Sequence, residues 1–254
     1  MLLLLPPSEG KTEPSGGDPL DLDSLAFADS LGGARRTLIS ALEGLVSEDR
    51  DDAVRMLGIS PGQAGDVDRD AELATAPAGP AIEVYSGVLY DRLDYATMSA
   101  GAKKRARSDL LIASALWGVL RPADRIPWYR FAMKAKLPGV GGLAALWRPL
   151  LVEAFESAGI DREGSLVVDC RSGAYSAAWK PKAAELVSVR AFTEKDGKRK
   201  PVSHMAKAVR GEVARIALEA SDPPSDPAGL AELVEGVGHR VELADGFLDV
   251  IESG

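Results

Sequence analysis

The chain has 254 residues, of which 46% are hydrophobic, enough to bury the core of one large domain or two small ones. The single cysteine excludes an internal disulfide, and no apolar run approaches the roughly 20 residues that span a bilayer. The N-terminal MLLLL is too short for a signal peptide, so we predict a soluble, cytoplasmic protein with no membrane partner.

Strands and helices alternate along the sequence. Short apolar or alternating runs predict strands, which cover Met1–Leu5, Asp109–Ala115, Leu166–Val168, Leu186–Thr193 and Arg240–Ile251. Apolar residues at helical spacing predict helices, which occupy parts of 20–57, 66–80, 147–157, 205–220 and 230–235. Residues 81–95 fit either a short strand or the start of a helix, and Asp196-Gly197 predicts a hairpin turn. Because the alternation lacks strict βαβ spacing, we predict an α/β (mixed α+β) fold with a mixed central sheet in a single domain, 1–254.

Positive charge is concentrated in two segments, although the net charge is −8. The first basic segment, Lys103–Lys136, has nine Lys/Arg and two Asp/Glu; the second basic segment, Arg171–Arg215, has eleven and four. The remainder therefore carries a net charge of −22, a separation that a mixed solvated surface does not require. We expect the two segments to meet in the fold and to line a positively charged cleft for a polyanion.

Arginines beside aromatic rings in the first basic segment suit phosphates and bases. The sequence thus favours a protein that binds DNA without sequence preference, since phosphate contacts read no bases. The candidate phosphate ligands are Lys11, Arg121, Arg130, Lys134, Arg171, Lys180, Lys182, Lys207 and Arg210. Trp128 and Tyr129 are candidates for stacking on a base at a bulge or junction, whereas Trp117 follows an apolar strand and is expected in the core.

Two loops have compositions typical of phosphate contacts. Ser8, Lys11 and Thr12 follow the first predicted strand, where ligands often dock, although Leu5 stands where a P-loop requires glycine. Residues 137–142, LPGVGG, have the Pro-Gly-x-Gly pattern of helix-hairpin-helix turns, in which backbone N–H groups approach a phosphate. An ordinary surface turn is the alternative for this segment.

An enzyme acting on a small phosphorylated or nucleotide substrate is the alternative function. Its phosphate would be held by Ser8, Lys11, Arg121 and Arg171. Asp169 or Glu9, at a strand end and in a loop, would then act as acid or base. Two histidines and one cysteine provide no ligand cluster for zinc or iron, so neither a metal nor a cofactor is predicted. Cys170 is expected to be buried and unreactive, although Arg171 beside it could lower its pKa.

Several segments in the same order resemble the YaaA family of bacterial peroxide-stress proteins. They are MLLLLPPSEGKT, SALWGVLRPADRIPWYR, LAALWRPL, VVDCRSGAYSAAWKPK and EKDGKRKPVSHMAKAVRGEVAR. The resemblance implies one α/β domain with a positively charged cleft and a helix-hairpin-helix-like element. It also implies DNA binding and protection during hydrogen peroxide stress, in part by limiting free iron. The PPSEGKT segment is longer and more acidic than the family's form, and residues 60–80 and the acidic C-terminal segment 221–254 match poorly.

Overall fold

A mixed sheet lies at the centre of the computed structural model, which describes residues 1–196 and 198–253. Its strands, with those of a small second sheet, are β1 (Leu2–Leu5), β2 (Gly79–Pro80), β3 (Leu110–Ser114), β4 (Gly118–Leu120), β5 (Arg125–Ile126), β6 (Leu166–Asp169), β7 (Glu185–Lys195), β8 (Lys198–Pro201), β9 (Arg240–Ala244) and β10 (Phe247–Ser253). The α-helices are α1 (Ala28–Glu48), α2 (Arg50–Leu57), α3 (Asp66–Asp70), α4 (Ala81–Val84), α5 (Val88–Leu93), α6 (Ala100–Asp109), α7 (Leu143–Ser157), α8 (Gly173–Ser176), α9 (Ser203–Glu219) and α10 (Pro227–Gly236).

The central sheet has the order β4-β3-β1-β6-β7-β10-β9, with β8 paired to β7. Neighbouring strands from β3 to β10 pair in parallel, while β4, β8 and β9 are antiparallel to their partners. All four residues of β1 are buried, the continuous apolar pattern of a strand covered on both faces. Leu3 lies opposite Leu110 of β3 on one side and Val168 of β6 on the other. Strands β2 and β5 form the separate two-stranded sheet.

The carboxyl ends of β1, β3 and β6 lie at one edge of the sheet because these strands are parallel. From β1 the chain proceeds to β3 on one side, whereas from β6 it proceeds to β7 on the other. Such a reversal opens a crevice at the strand ends, where open α/β sheets bind ligands. The loop after β1, Ser114 and Asp169 therefore meet at this edge.

Two glycines of the sequence motifs are required by close packing. Gly118 has φ of 73°, and a Cβ there would lie 2.8 Å from the Trp147 ring. A Cβ on Gly211 of α9 would lie 2.2 Å from the Leu89 carbonyl oxygen of α5. Gly211 thus allows α5 and α9 to approach directly, and Gly118 allows the β3–β4 turn to lie on α7.

The mixed α/β fold in a single domain is confirmed. Strands were predicted correctly at β1, β3, β6 and β7, and helices at α7 and α9. Residues 81–95 form the short helices α4 and α5 rather than a strand. Trp117 is fully buried, as expected of a core residue. The hairpin predicted at Asp196-Gly197 is present as the antiparallel pair β7–β8, although Gly197 itself lies outside the described residues.

A helix-hairpin-helix element is not observed around LPGVGG. Residues 127–142 form turns and extended chain without a helix, so α7 follows the motif directly but no helix leads directly into it. Gly139 and Gly141 have positive φ, which explains the glycines without a second helix. The acidic C-terminal segment contributes α10, β9 and β10, and β10 pairs with β7 from Phe247 to Ser253. This segment is therefore part of the central sheet.

Candidate functional site

Lys11 lies in the loop that follows β1, at the carboxyl edge of the sheet. It pairs with Tyr85 in an isolated antiparallel bridge, and Ser86 N donates to the Gly10 carbonyl at 3.1 Å. The Nζ atom of Lys11 donates to the Ser8 carbonyl at 2.8 Å. It also lies 4.3 Å from the ring centroid of Tyr129 and 5.5 Å from that of Tyr85. The loop therefore holds this amine against protein groups.

Two buried tyrosines form the floor beneath Lys11. The hydroxyls of Tyr85 and Tyr129 are 2.6 Å apart, and the Tyr129 hydroxyl lies 2.9 Å from Ser114 Oγ. Ser114 Oγ also accepts the backbone N–H of Trp117 at 3.1 Å, which fixes it at the end of β3. Burial raises the pKa of both phenols well above the usual range. They are therefore neutral hydrogen-bonding groups at physiological pH.

A buried carboxyl and a guanidinium flank the amine. Asp70, at the end of α3, is fully buried; its Oδ1 accepts Arg130 N at 2.8 Å, and its Oδ2 has no partner within the described residues. Burial raises the pKa of Asp70 to about 8. Burial, and then the charge of Arg130, lowers the pKa of Lys11 to about 7. Both shifts favour the uncharged forms of these groups, and perturbed pKa values of this kind cluster at functional sites.

Arg130 is held loosely beside Lys11. Its Nη2 lies 3.2 Å from Gln63 Oε1 and 3.7 Å from Glu9 Oε2. The Arg130 side chain is 19% exposed and that of Glu9 is 74% exposed. The Arg130–Glu9 ion pair is long and Glu9 is solvated, so the pair contributes little net stabilisation. The guanidinium of Arg130 can therefore bind another anion.

A separate cleft of about 490 Å³ lies between β6, β7, α9 and the β9–β10 turn. Four cations of the second basic segment line it: Arg171, Lys180, Arg190 and Arg210. Lys180 is exposed, and Arg210 is half-buried with its Nε donating to the Val189 carbonyl at 3.1 Å. Arg190 binds both carboxylate oxygens of Asp249 and lies 3.8 Å from the Phe247 ring centroid. No residue of the first basic segment lines this cleft. The two basic segments therefore do not line it together, contrary to the expectation from the sequence.

Arg171 is a structural cation. It is buried, and its guanidinium binds both oxygens of the equally buried Asp169 at 2.8 and 2.9 Å and donates to the Trp179 carbonyl. Asp169 Oδ1 also accepts the backbone N–H of Arg171. Both oxygens of Asp169 are therefore engaged, which disfavours the role of general acid or base expected for it. The Nε and Nη2 atoms of Arg171 are engaged within the protein, so few of its donors remain free to bind a phosphate.

The other predicted ligands are distributed over the surface. Lys134, Lys182 and Lys207 are exposed, and Lys182 Nζ lies 3.8 Å from Glu156 Oε1. Arg121 is half-buried, with Nη1 donating to the Arg107 carbonyl at 3.2 Å. The structure thus brings together Lys11 with Arg130, and Lys180 with Arg210.

The two residues predicted to stack on a base, Trp128 and Tyr129, differ in their exposure. Trp128 is half-buried, and the guanidinium of Arg69 lies 4.6 Å from its ring centroid. Tyr129 is fully buried and hydrogen-bonded at its hydroxyl. A base-stacking role for Tyr129 is therefore wrong, because its ring has no open face.

Sequence reasoning missed Asp70, Tyr85 and Ser114 at the Lys11 site, and Arg190 at the cleft. Residues 81–95 were predicted as a short strand or the start of a helix, but nothing in the sequence linked Tyr85 to Lys11. Asp70 stands in a helical stretch with several acidic neighbours, and no local signal separates it from them.

Cys170 is fully buried, and burial raises the pKa of its thiol to about 12. The charge of Arg171 lowers this pKa only in part. Cys170 is therefore a thiol rather than a reactive thiolate at neutral pH.

Neither a cluster of metal ligands nor a membrane-spanning helix is found in the part of the chain that the structure describes. Among the side chains that the structure describes, which leave out His204, no three His, Cys, Asp or Glu residues gather in a way that could hold a metal ion. Over the same residues, no helix combines the length and apolar character that a bilayer crossing needs.

Comparison with known proteins identifies the family. The sequence model described as "Peroxide stress protein YaaA" matches residues 1–235. A UPF0246 protein of Streptomyces coelicolor is 45% identical over 245 residues, covering 95% of this chain and 92% of its own. A UPF0246 protein of Corynebacterium efficiens is 39% identical over 250 residues, covering 97% and 96%, respectively. The chain therefore belongs to the YaaA family of peroxide stress proteins.

Proposed function

We propose that the protein binds DNA without sequence preference through the cleft lined by Lys180, Arg190 and Arg210. The observation that carries this is the convergence of Lys180, Arg190 and Arg210 on one cleft in a chain of net charge −8. The acidic residues Asp169 and Asp245 also line the cleft, and Asp249 binds Arg190, so Lys180 and Arg210 are the main candidates for phosphate contacts. A local positive field of this kind attracts phosphates whatever the average charge. The exposed Lys134, Lys182 and Lys207 would add weaker contacts to flanking phosphates.

The size of the cleft favours an unpaired nucleotide over a duplex. About 490 Å³ lies within the roughly 300–1,000 Å³ of small-ligand sites. We therefore propose bulged or junction DNA as the preferred form, with one unpaired unit in the cleft and its flanking phosphates outside.

DNA binding would connect this fold to peroxide stress. The buried, protonated Cys170 disfavours direct reduction of peroxide by a thiol. A protein covering exposed nucleotides would instead limit the iron- and peroxide-dependent damage that reaches them. We propose this protective role for the protein in the cell.

The test is the affinity for a bulged oligonucleotide against salt concentration. Each phosphate contact contributes a slope of about −0.9 in log K against log salt, so Lys180→Gln with Arg210→Gln should flatten the slope by about 2. Lys104→Gln with Lys136→Gln is the matched control, because both lysines are exposed and neither lines the cleft. Thermal unfolding of each variant checks that the fold is kept. An equal slope change in both double variants would contradict binding at the cleft.

An enzyme acting on a small phosphorylated or nucleotide substrate is the second candidate, supported by the same cleft volume. Titration with a mononucleotide separates the two functions. A mononucleotide that displaces the bulged oligonucleotide at concentrations near its cellular level would favour the enzyme. Displacement only by longer strands would favour the DNA-binding protein.

A further inference from the structure

The loop after β1 carries the amine of Lys11, which has no part in the DNA binding proposed for the cleft. Lys11 and Arg130 do not line the cleft, so this second site stands apart from the proposed DNA contacts. Lys11 Nζ is bordered by the Ser8 carbonyl, the rings of Tyr85 and Tyr129, and Arg130. Glu9, Gly10 and Thr12 around it are exposed, so solutes can reach this loop from outside.

The surroundings of Lys11 suit a nucleophile better than a structural cation. A desolvated lysine beside a second cation is the arrangement in which enzymes keep an amine neutral for attack on a carbonyl. Here the second cation is Arg130, and the apolar surroundings are two tyrosine rings. The contacts of Lys11 Nζ among the described residues are the Ser8 carbonyl and the two tyrosine rings, none of which neutralises a charge on the amine.

Asp70 supplies an independent sign of a proton-handling site. Its fully buried Oδ2 lacks a hydrogen-bond partner within the described residues, which is costly unless the oxygen carries a proton or meets a ligand. Because Asp70 is enclosed, it would act through Lys11 and is a positioning residue. Its charge raises the pKa of Lys11, as do those of Glu9 and Asp66, whereas Arg130 lowers it.

We propose that Lys11 is a nucleophilic lysine that forms an imine with the aldehyde of a phosphate-bearing sugar, with Arg130 holding the phosphate. The lone pair of the neutral amine attacks the carbonyl carbon, and the C–O π electrons move to the oxygen, which takes up a proton. The resulting carbinolamine loses that oxygen as water and leaves a protonated imine. No oxidant or reductant is consumed. The loose Arg130–Glu9 pair explains how the guanidinium becomes available to the phosphate.

Borohydride trapping tests the proposal with two sources of the same aldehyde. The full-length protein is incubated with deoxyribose 5-phosphate or with an oligonucleotide carrying one abasic site, then reduced and mapped by peptide mass spectrometry. We expect the adduct on Lys11 at least about tenfold above the exposed Lys104, and above the adduct formed with acetaldehyde, which lacks a phosphate. Preference for one of the two probes identifies the source. Adducts spread evenly over the lysines, or absent from Lys11, would overturn the proposal.

The pH profile of trapping distinguishes this chemistry from mere accessibility and needs no variant. The rate on Lys11 should level off near pH 7, where its amine becomes neutral, whereas a lysine derivative free in solution levels off near its ordinary pKa of about 10.4. Asp70, whose raised pKa of about 8 leaves it mostly protonated at pH 7, should change this midpoint little when replaced by Asn. Arg130→Gln removes a charge that lowers the pKa of Lys11 and should move the midpoint up. A midpoint that stays in place in Arg130→Gln would contradict the role assigned to Arg130.

Discussion

The two basic segments are equally rich in positive charge, yet the fold uses them differently. In the first basic segment, arginines hold carbonyls of the main chain: Arg105 binds Leu218, Arg121 binds Arg107 and Arg125 binds Ala78. In the second basic segment, Lys180, Arg190 and Arg210 converge on a cleft. Charge density in a sequence therefore indicates neither role by itself. The distinction depends on where the fold places each side chain, since Arg210 also donates to a carbonyl, that of Val189, and yet lines the cleft.

The largest effect is expected at Arg171. This residue belongs to the second basic segment but has a structural role, as the arginines of the first basic segment do. Arg171→Gln should lower the free energy of unfolding by about 3–5 kcal/mol, because it leaves the buried Asp169 carboxylate uncompensated. Urea unfolding monitored by tryptophan fluorescence measures the change. Asp169→Asn with Arg171→Gln removes both charges and should lose less than Arg171→Gln alone. A single variant as stable as the wild type would show that the pair is not needed.

Gly118 tests how the first basic segment is anchored. Gly118→Ala should cost about 3 kcal/mol, since the new Cβ meets the Trp147 ring at 2.8 Å and the backbone has positive φ. Gly33→Ala is the matched control, because Gly33 is an exposed residue of α1 with open space at its Cβ position. It should be neutral or stabilising by up to about 1 kcal/mol. Equal losses in the two variants would argue against the close packing on α7.

Arg121 gives the smallest expected effect and sharpens the comparison most directly. Arg121→Gln should lower the free energy of unfolding by about 1 kcal/mol through loss of the hydrogen bond to Arg107. The affinity for bulged DNA, measured on fully folded protein, should remain within about twofold of the wild type, unlike that of a phosphate ligand. A flatter salt slope with unchanged stability would instead assign Arg121 to the DNA contacts.

Much of the fold could be predicted from local sequence. Leu2–Leu5 and Leu166–Val168 are continuous apolar runs, and such runs are the pattern of buried parallel strands. The helix at 205–220 was predicted from its amphipathic spacing and is present as α9. The prediction of a helix-hairpin-helix element failed because the Pro-Gly-x-Gly pattern indicates a turn and carries no information about the residues before it.

The candidate site was less predictable because its contacts are distant in the sequence. Asp70 and Arg130 are 60 residues apart, and Tyr85 and Tyr129 are 44 apart. Lys11 was selected from its loop after a strand, but apart from Glu9 in that loop the charged groups that change its pKa come from α3 and from the segment after β5. Arg171 and Tyr129 were chosen by residue type, and their burial could not be read from neighbouring residues alone.

The central place of β1 has a consequence for biosynthesis. Leu3 pairs with Leu110 and Val168, so its neighbours are made roughly 100 and 160 residues later, separations that slow folding. An emerging chain would carry this exposed leucine segment until β3 and β6 have left the ribosome. During that interval the segment is a potential client of chaperones and a potential starting point for aggregation. Slower translation between β3 and β6 would lengthen this exposure.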